Sequence, residues 1–116
     1  MKLLLDENMP HTLRYHLTHH ETVTAAYAGY AGLKNGKLLD AAENGGFDAL
    51  ITGDKTLHHE QNMRGRKIAL VSLSAVSWPV IEPYVAKIVA AVDAATPGSF
   101  AAVECGPFVR PRTKPS

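Results

Sequence analysis

Lys2-Leu3-Leu4-Leu5-Asp6-Glu7-Asn8 opens the chain with an apolar run that ends abruptly in two carboxylates and an amide. An uninterrupted run of this kind reads as a strand buried on both faces, the signature of a parallel sheet. Ala49-Leu50-Ile51-Thr52-Gly53-Asp54 repeats the arrangement, with a second apolar run leading into an acid. Ligands of an open parallel sheet lie in the crevice beyond the carboxyl ends of its strands. Asp6 and Asp54 are therefore expected on the rim of one cleft. Oxygen ligands at such a place suit a hard divalent cation, Mg²⁺ or Mn²⁺. A metal held there activates water and stabilises a leaving oxygen, which is the chemistry of phosphodiester hydrolysis.

Working outward from these two strands, the segments read β-α-β-α-β-x-β-α-β. Asn8 is positioned to cap a helix over residues 9–18, with Pro10 in its first turn and Leu13 and Leu17 on one face. Residues 21–25 are β-prone through Thr22, Val23 and Thr24. The stretch 26–36, with Gly29, Gly32 and Gly36, reads as a mobile loop. A helix over 36–44 carries Leu38, Leu39 and Ala42 as its apolar stripe and stops at Gly45-Gly46. After the strand 49–52, residues 68–73 form another apolar strand. Ser77 and Pro79 mark the start of the longest helix, 78–95, with Ile81, Val85, Ile88, Val89 and Val92 at helical spacing. Pro97-Gly98 ends it, and 100–103 reads as an edge strand. The pattern predicts an α/β fold, three layers with a mainly parallel central sheet. One domain over residues 1–104 is expected, then a flexible Pro/Arg-rich tail over 105–116.

Composition agrees with this class. A hydrophobic share of 46% and a charged share of 20% in 116 residues are those of a single globular domain with its own core. Cys105 is the only cysteine and has no internal partner for a disulfide, in keeping with a cytoplasmic location. The opening leucines are too few for a membrane span and are interrupted at once by acids. The net charge of +1 hides an asymmetry: residues 1–60 hold eight acids and five bases, residues 61–116 three acids and seven bases. Arg64, Arg66 and Lys67 form one basic cluster, and Arg110, Arg112 and Lys114 another. Either is a candidate phosphate contact or simply solvated surface.

Asp6 follows a buried strand directly, where a charge must be solvated, paired or metal-bound. The plainer reading is a cap on the following helix. Glu7 beside it either joins the site or favours the helix N-terminus through the dipole. Asp54 is a second metal ligand or a turn residue in Gly53-Asp54-Lys55. Thr52 is placed to orient Asp54 or a metal-bound water, and Lys55 to contact substrate or to neutralise Asp54. Of six histidines, His16 and His20 stand four apart, but Thr18 interrupts the helix that would align them. His58-His59-Glu60 is a turn near the expected site, offering a proton carrier at most. Gln61 and Asn62 are either contacts to nucleic-acid edges or caps. No phosphate-cradling glycine motif and no Ser-His-Asp arrangement is present.

Three stretches together resemble the DUF5615 family of PIN-like proteins: Leu3-Leu4-Leu5-Asp6-Glu7-Asn8, Gly32-Leu33-Lys34-Asn35-Gly36-Lys37-Leu38-Leu39, and Phe47-Asp48-Ala49-Leu50-Ile51-Thr52-Gly53-Asp54-Lys55-Thr56-Leu57. The likeness spans about residues 1–75. It implies a PIN-like α/β/α domain, a metal-dependent ribonuclease, and the toxin role in a type II toxin–antitoxin pair. Asp6 matches the first carboxylate of that family and Thr52 with Asp54 its later Thr-x-Asp element. The implied partners are an RNA substrate, met by Lys55, Asn62 and Arg64, and a cognate antitoxin. Many relatives carry Ser-Asp-x-Glu at the start of the second helix, where this chain has Lys34-Asn35-Gly36-Lys37. Asn35 offers a carbonyl oxygen without charge, and Asp40, Glu43 or Glu7 is the substitute acid to look for.

Two other readings compete. A non-catalytic binding protein would keep the fold and dock an antitoxin or its own twin as a homodimer, through the long helix or residues 26–34. A receiver-like phosphotransfer domain also places acids at strand ends, but needs a later Ser/Thr and Lys in an order this chain lacks.

Overall fold

The computed structural model describes residues 1–54 and 62–106 of the chain. Five strands form its sheet: β1 (Lys2–Leu5), β2 (Glu21–Thr24), β3 (Ala49–Thr52), β4 (Ala69–Leu73) and β5 (Phe100–Val103). Every pairing is parallel and the order across the sheet is β2-β1-β3-β4-β5. The three inner strands are predominantly apolar, and β3 and β4 are buried at every position. The edge strands β2 and β5 are partly exposed: β2 mixes polar and apolar residues, whereas β5 is apolar and owes its exposure to its place at the sheet edge.

Side-chain alternation divides the core in two. Leu3, Leu5, Ile51, Val71 and Leu73 face a layer built from a 3-10 helix (His11–His16) and the helices that follow β4. Leu4, Leu50 and Leu70 face the opposite layer, α1 (Asn35–Asn44), through Leu38, Leu39 and Ala42. The expected three-layer α/β arrangement with a mainly parallel sheet is thus the one observed.

Two helices differ from the sequence reading. The helix expected over 9–18 is the six-residue 3-10 turn His11–His16. Pro10 is its N-cap rather than part of its first turn, and Asn8 is exposed and caps nothing there. Leu13 and Leu17 are buried nonetheless. The helix expected over 78–95 is interrupted: α2 (Trp78–Ile81), a 3-10 turn (Glu82–Tyr84) and α3 (Val85–Asp93). Pro83 is the cause, since it lacks an N–H and its ring crowds the preceding turn. The apolar stripe survives the break, because Ile81, Ile88 and Val92 are fully buried against the sheet. That stripe is core, so it does not supply the partner surface considered above. No helix among the described residues is long and apolar enough to cross a membrane.

A cleft where the strand order reverses

From β1 the chain goes to β2 on one side and later to β3 on the other, so the β1/β3 boundary is the topological switch point of the sheet. Ligand crevices form there, outside the carboxyl ends of the strands. Parity decides which side chains face it. Leu4, Leu50 and Leu70 point toward α1, so Asp6, Thr52 and Ser72, each two residues further along, point the same way. Leu4 pairs with Leu50 and Thr52 with Ser72 in the sheet register, which sets the three polar groups in a row across neighbouring strand ends.

The row is hydrogen-bonded. Thr52 Oγ1 donates to Asp6 Oδ2 at 2.7 Å and accepts from the Asp54 N–H at 3.0 Å. Thr52 is fully buried, so its hydroxyl has both partners from the protein. Ser72 Oγ donates to the Asp54 carbonyl at 3.3 Å. Asp6 Oδ1 accepts from the Glu7 N–H at 2.7 Å, and the Asp6 carbonyl accepts from the Met9 N–H in a tight turn. The Asp6 carboxylate therefore does not cap the helix that follows. A Cβ at Gly53 would lie 2.4 Å from Val76 Cγ1, so the exposed Val76 side chain would have to move to admit one.

Asp6 and Asp54 line a cleft of about 280 Å³ together with Glu7, Asn8, Leu33, Lys34 and Leu38. Among the described residues its charged groups are three carboxylates and one ammonium. Glu7 does not act on a helix terminus; its Oε1 accepts from the Gly32 N–H at 2.8 Å, fastening the glycine turn to the end of β1. Gly32 has φ +87°, a left-handed conformation that glycine adopts without strain. Thr52 bonds the carboxylate of Asp6 and the backbone N–H of Asp54. Ser72 was not legible as a site residue. Its one signal is a hydroxyl in phase with Leu70 inside an otherwise apolar strand.

Other candidates lie elsewhere. Asp40 and Glu43 sit on the far half of α1, where Arg66 reaches both, at 3.0 Å and 2.9 Å. Glu43 also accepts the Lys67 N–H just before β4, at the amino end of the sheet. Neither acid joins Asp6 and Asp54. Asn62 and Arg64 share a turn before β4, with Asn62 Oδ1 accepting the Arg64 N–H, and they do not line the cleft. His16 packs on Trp78 with ring centres 5.1 Å apart, and His20 Nε2 meets Asp93 Oδ1 at 2.6 Å, so the two do not form a metal pair. Lys55, His58, His59, Glu60, Gln61 and the tail bases Arg110, Arg112 and Lys114 lie outside the described residues; Asn35 is described by its backbone alone, in α1.

The described residues of the cleft do not form an all-protein metal cage. Among the described residues no group of three or more His, Cys, Asp or Glu side chains is arranged to hold a metal. Mg²⁺ is commonly bound through one or two carboxylates, with water and substrate phosphates completing its shell. Asp6 already accepts two hydrogen bonds, yet a carboxylate has about four acceptor sites, so its capacity is not exhausted. Comparison with protein-family models, with curated proteins and with solved structures gave no match.

Proposed function

We propose that this cleft is the active site of a PIN-like, divalent-metal-dependent ribonuclease. The observation that carries the reading is the meeting of Asp6 and Asp54 at the switch point, where one buried hydroxyl, that of Thr52, bonds the carboxylate of Asp6 and the backbone N–H of Asp54. The cleft lining adds support: all seven residues belong to the three stretches that resemble the DUF5615 family. Asp6 and Asp54 would hold a Mg²⁺ or Mn²⁺ ion, which when bound would supply an activated water and a counter-charge for the leaving oxygen. Thr52 fixes the Asp6 carboxylate, and Ser72 fixes the peptide of Asp54, so the ligands are set before the ion arrives. The resemblance also carries the toxin role, with cellular RNA as substrate and a cognate antitoxin as the protein that restrains it.

A second reading, a binding protein that has kept the fold without the chemistry, is favoured by one observation. The described residues offer two acids in the row and no three-ligand metal group. The receiver-like reading is weaker, because the residue that follows β5 is Glu104 and not a lysine. Cleavage of end-labelled single-stranded RNA with Mn²⁺, beside Asp6→Ala and Asp54→Ala proteins of verified fold, separates the first two. Metal-dependent cleavage lost in both variants supports the nuclease. Absence of both cleavage and Mn²⁺ binding in the folded wild type supports the binding protein.

A further inference from the structure

One basic group in the cleft has no part in holding a metal. Lys34 lines it together with Asp6 and Asp54, and it is exposed. Among the described residues no salt bridge uses its ammonium, although three carboxylates share the cleft. Its place in the chain does not favour a positive charge either. Lys34 is the N-cap residue of α1, whose first turn contains no acid, and a cation there opposes the helix dipole. An anion in the cleft would relieve that opposition. The carboxylates of Asp6, Glu7 and Asp54 on the same walls repel an anion, however, unless a cation offsets their charge.

We infer that Lys34 is a phosphate-contacting residue, and that the cleft takes a phosphate group only together with a divalent cation on Asp6 and Asp54. The inference rests on the proposed metal site and names the ligand class of that site. The ammonium is a point charge suited to phosphate oxygens, and Lys34→Arg preserves that charge. Its place in the same cleft supplies positive charge for a phosphate without a second metal ion.

Calorimetric titration of the full chain tests it, with Mn²⁺ first and then uridine 5′-monophosphate as the phosphate probe. The wild type is expected to bind the nucleotide with Mn²⁺ present and not in its absence. Lys34→Gln should bind Mn²⁺ at least as tightly as the wild type, while its nucleotide affinity falls about tenfold, the loss of one charged hydrogen bond. Lys34→Arg should recover most of that affinity. Lys37→Gln removes the same charge from α1 outside the cleft lining and should change neither titration. Nucleotide binding unchanged in Lys34→Gln, equal loss in Lys37→Gln, or no nucleotide binding to a protein that does bind Mn²⁺ would overturn the role of Lys34 and leave the metal site standing. Failure of the wild type to bind Mn²⁺ would remove the metal site and this inference together.

Discussion

Thr52→Val is the most informative single change, because valine keeps the shape of threonine and removes only the hydroxyl. Two hydrogen bonds go with it: the one donated to Asp6 Oδ2 at 2.7 Å and the one accepted from the Asp54 N–H at 3.0 Å. A bond to a charged group contributes roughly 1.5–3 kcal/mol, and an N–H left unpaired costs roughly 1–3 kcal/mol. Two offsets apply. The added methyl gains about 0.8 kcal/mol of burial, and Asp6 lies on an open cleft where water replaces part of what is lost. A net cost of about 2 kcal/mol follows from these terms. Thr52→Ser is the counterpart: it keeps the hydroxyl and loses a fully buried methyl, costing about 1 kcal/mol. Urea unfolding followed by circular dichroism should rank the proteins wild type, then Thr52→Ser, then Thr52→Val, with a common slope. Mn²⁺ affinity should fall about tenfold or more in Thr52→Val, since groups that orient metal ligands contribute at that scale, and should be largely kept in Thr52→Ser. A Thr52→Val protein as stable as Thr52→Ser and binding Mn²⁺ as the wild type does would refute the bridging role.

Three further expectations follow from other parts of the molecule. Glu43→Ala removes the partner of Arg66 and of the Lys67 N–H; it should lower unfolding stability by about 1–2 kcal/mol and leave Mn²⁺ titration unchanged, because this acid lies away from the cleft. Gly53→Ala forces a Cβ toward Val76 Cγ1 and should cost about 1–3 kcal/mol by denaturant unfolding; Val76→Ala in the same chain should restore most of it, a coupling that a double-mutant cycle reads directly. Burial pushes the Cys105 thiol above its ordinary pKa, outweighing the lowering hydrogen bonds from Ser74. The unfolded chain therefore loses this proton first as pH rises, so stability holds below the ordinary thiol pKa and falls as pH climbs through it toward the raised folded value. Cys105→Ala should show a shallower loss over that alkaline window in melting experiments.

What the sequence made legible follows from where its patterns are local. Continuous apolar runs are enough to announce β1, β3 and β4, because burial on both faces permits nothing else. The acids ending two of those runs announced the cleft for the same reason: a charge directly after a buried strand needs an environment that accepts it. The strand order was not legible, since the choice of neighbour depends on packing between distant segments. Ser72 stayed hidden because a single serine in a strand is unremarkable until its register with Thr52 is known. Pro83 does not stand out in the sequence pattern, because Ile81, Ile88 and Val92 keep helical phase across the interruption. Asp40 and Glu43 read as spare ligands only while the direction of α1 was unknown; running antiparallel to the strands, its far half lies at the opposite end of the sheet from Asp6.

The central claim is that Asp6 and Asp54 hold one divalent cation between them at the switch point. Calorimetric titration of Mn²⁺ into wild type, Asp6→Asn and Asp54→Asn, each of verified fold, tests it most directly. The account predicts one ion per chain in the wild type and a loss of about tenfold or more in each variant, since cation affinity follows the count of charged ligands. Wild-type protein that binds no Mn²⁺, or binding that both variants retain, would contradict it.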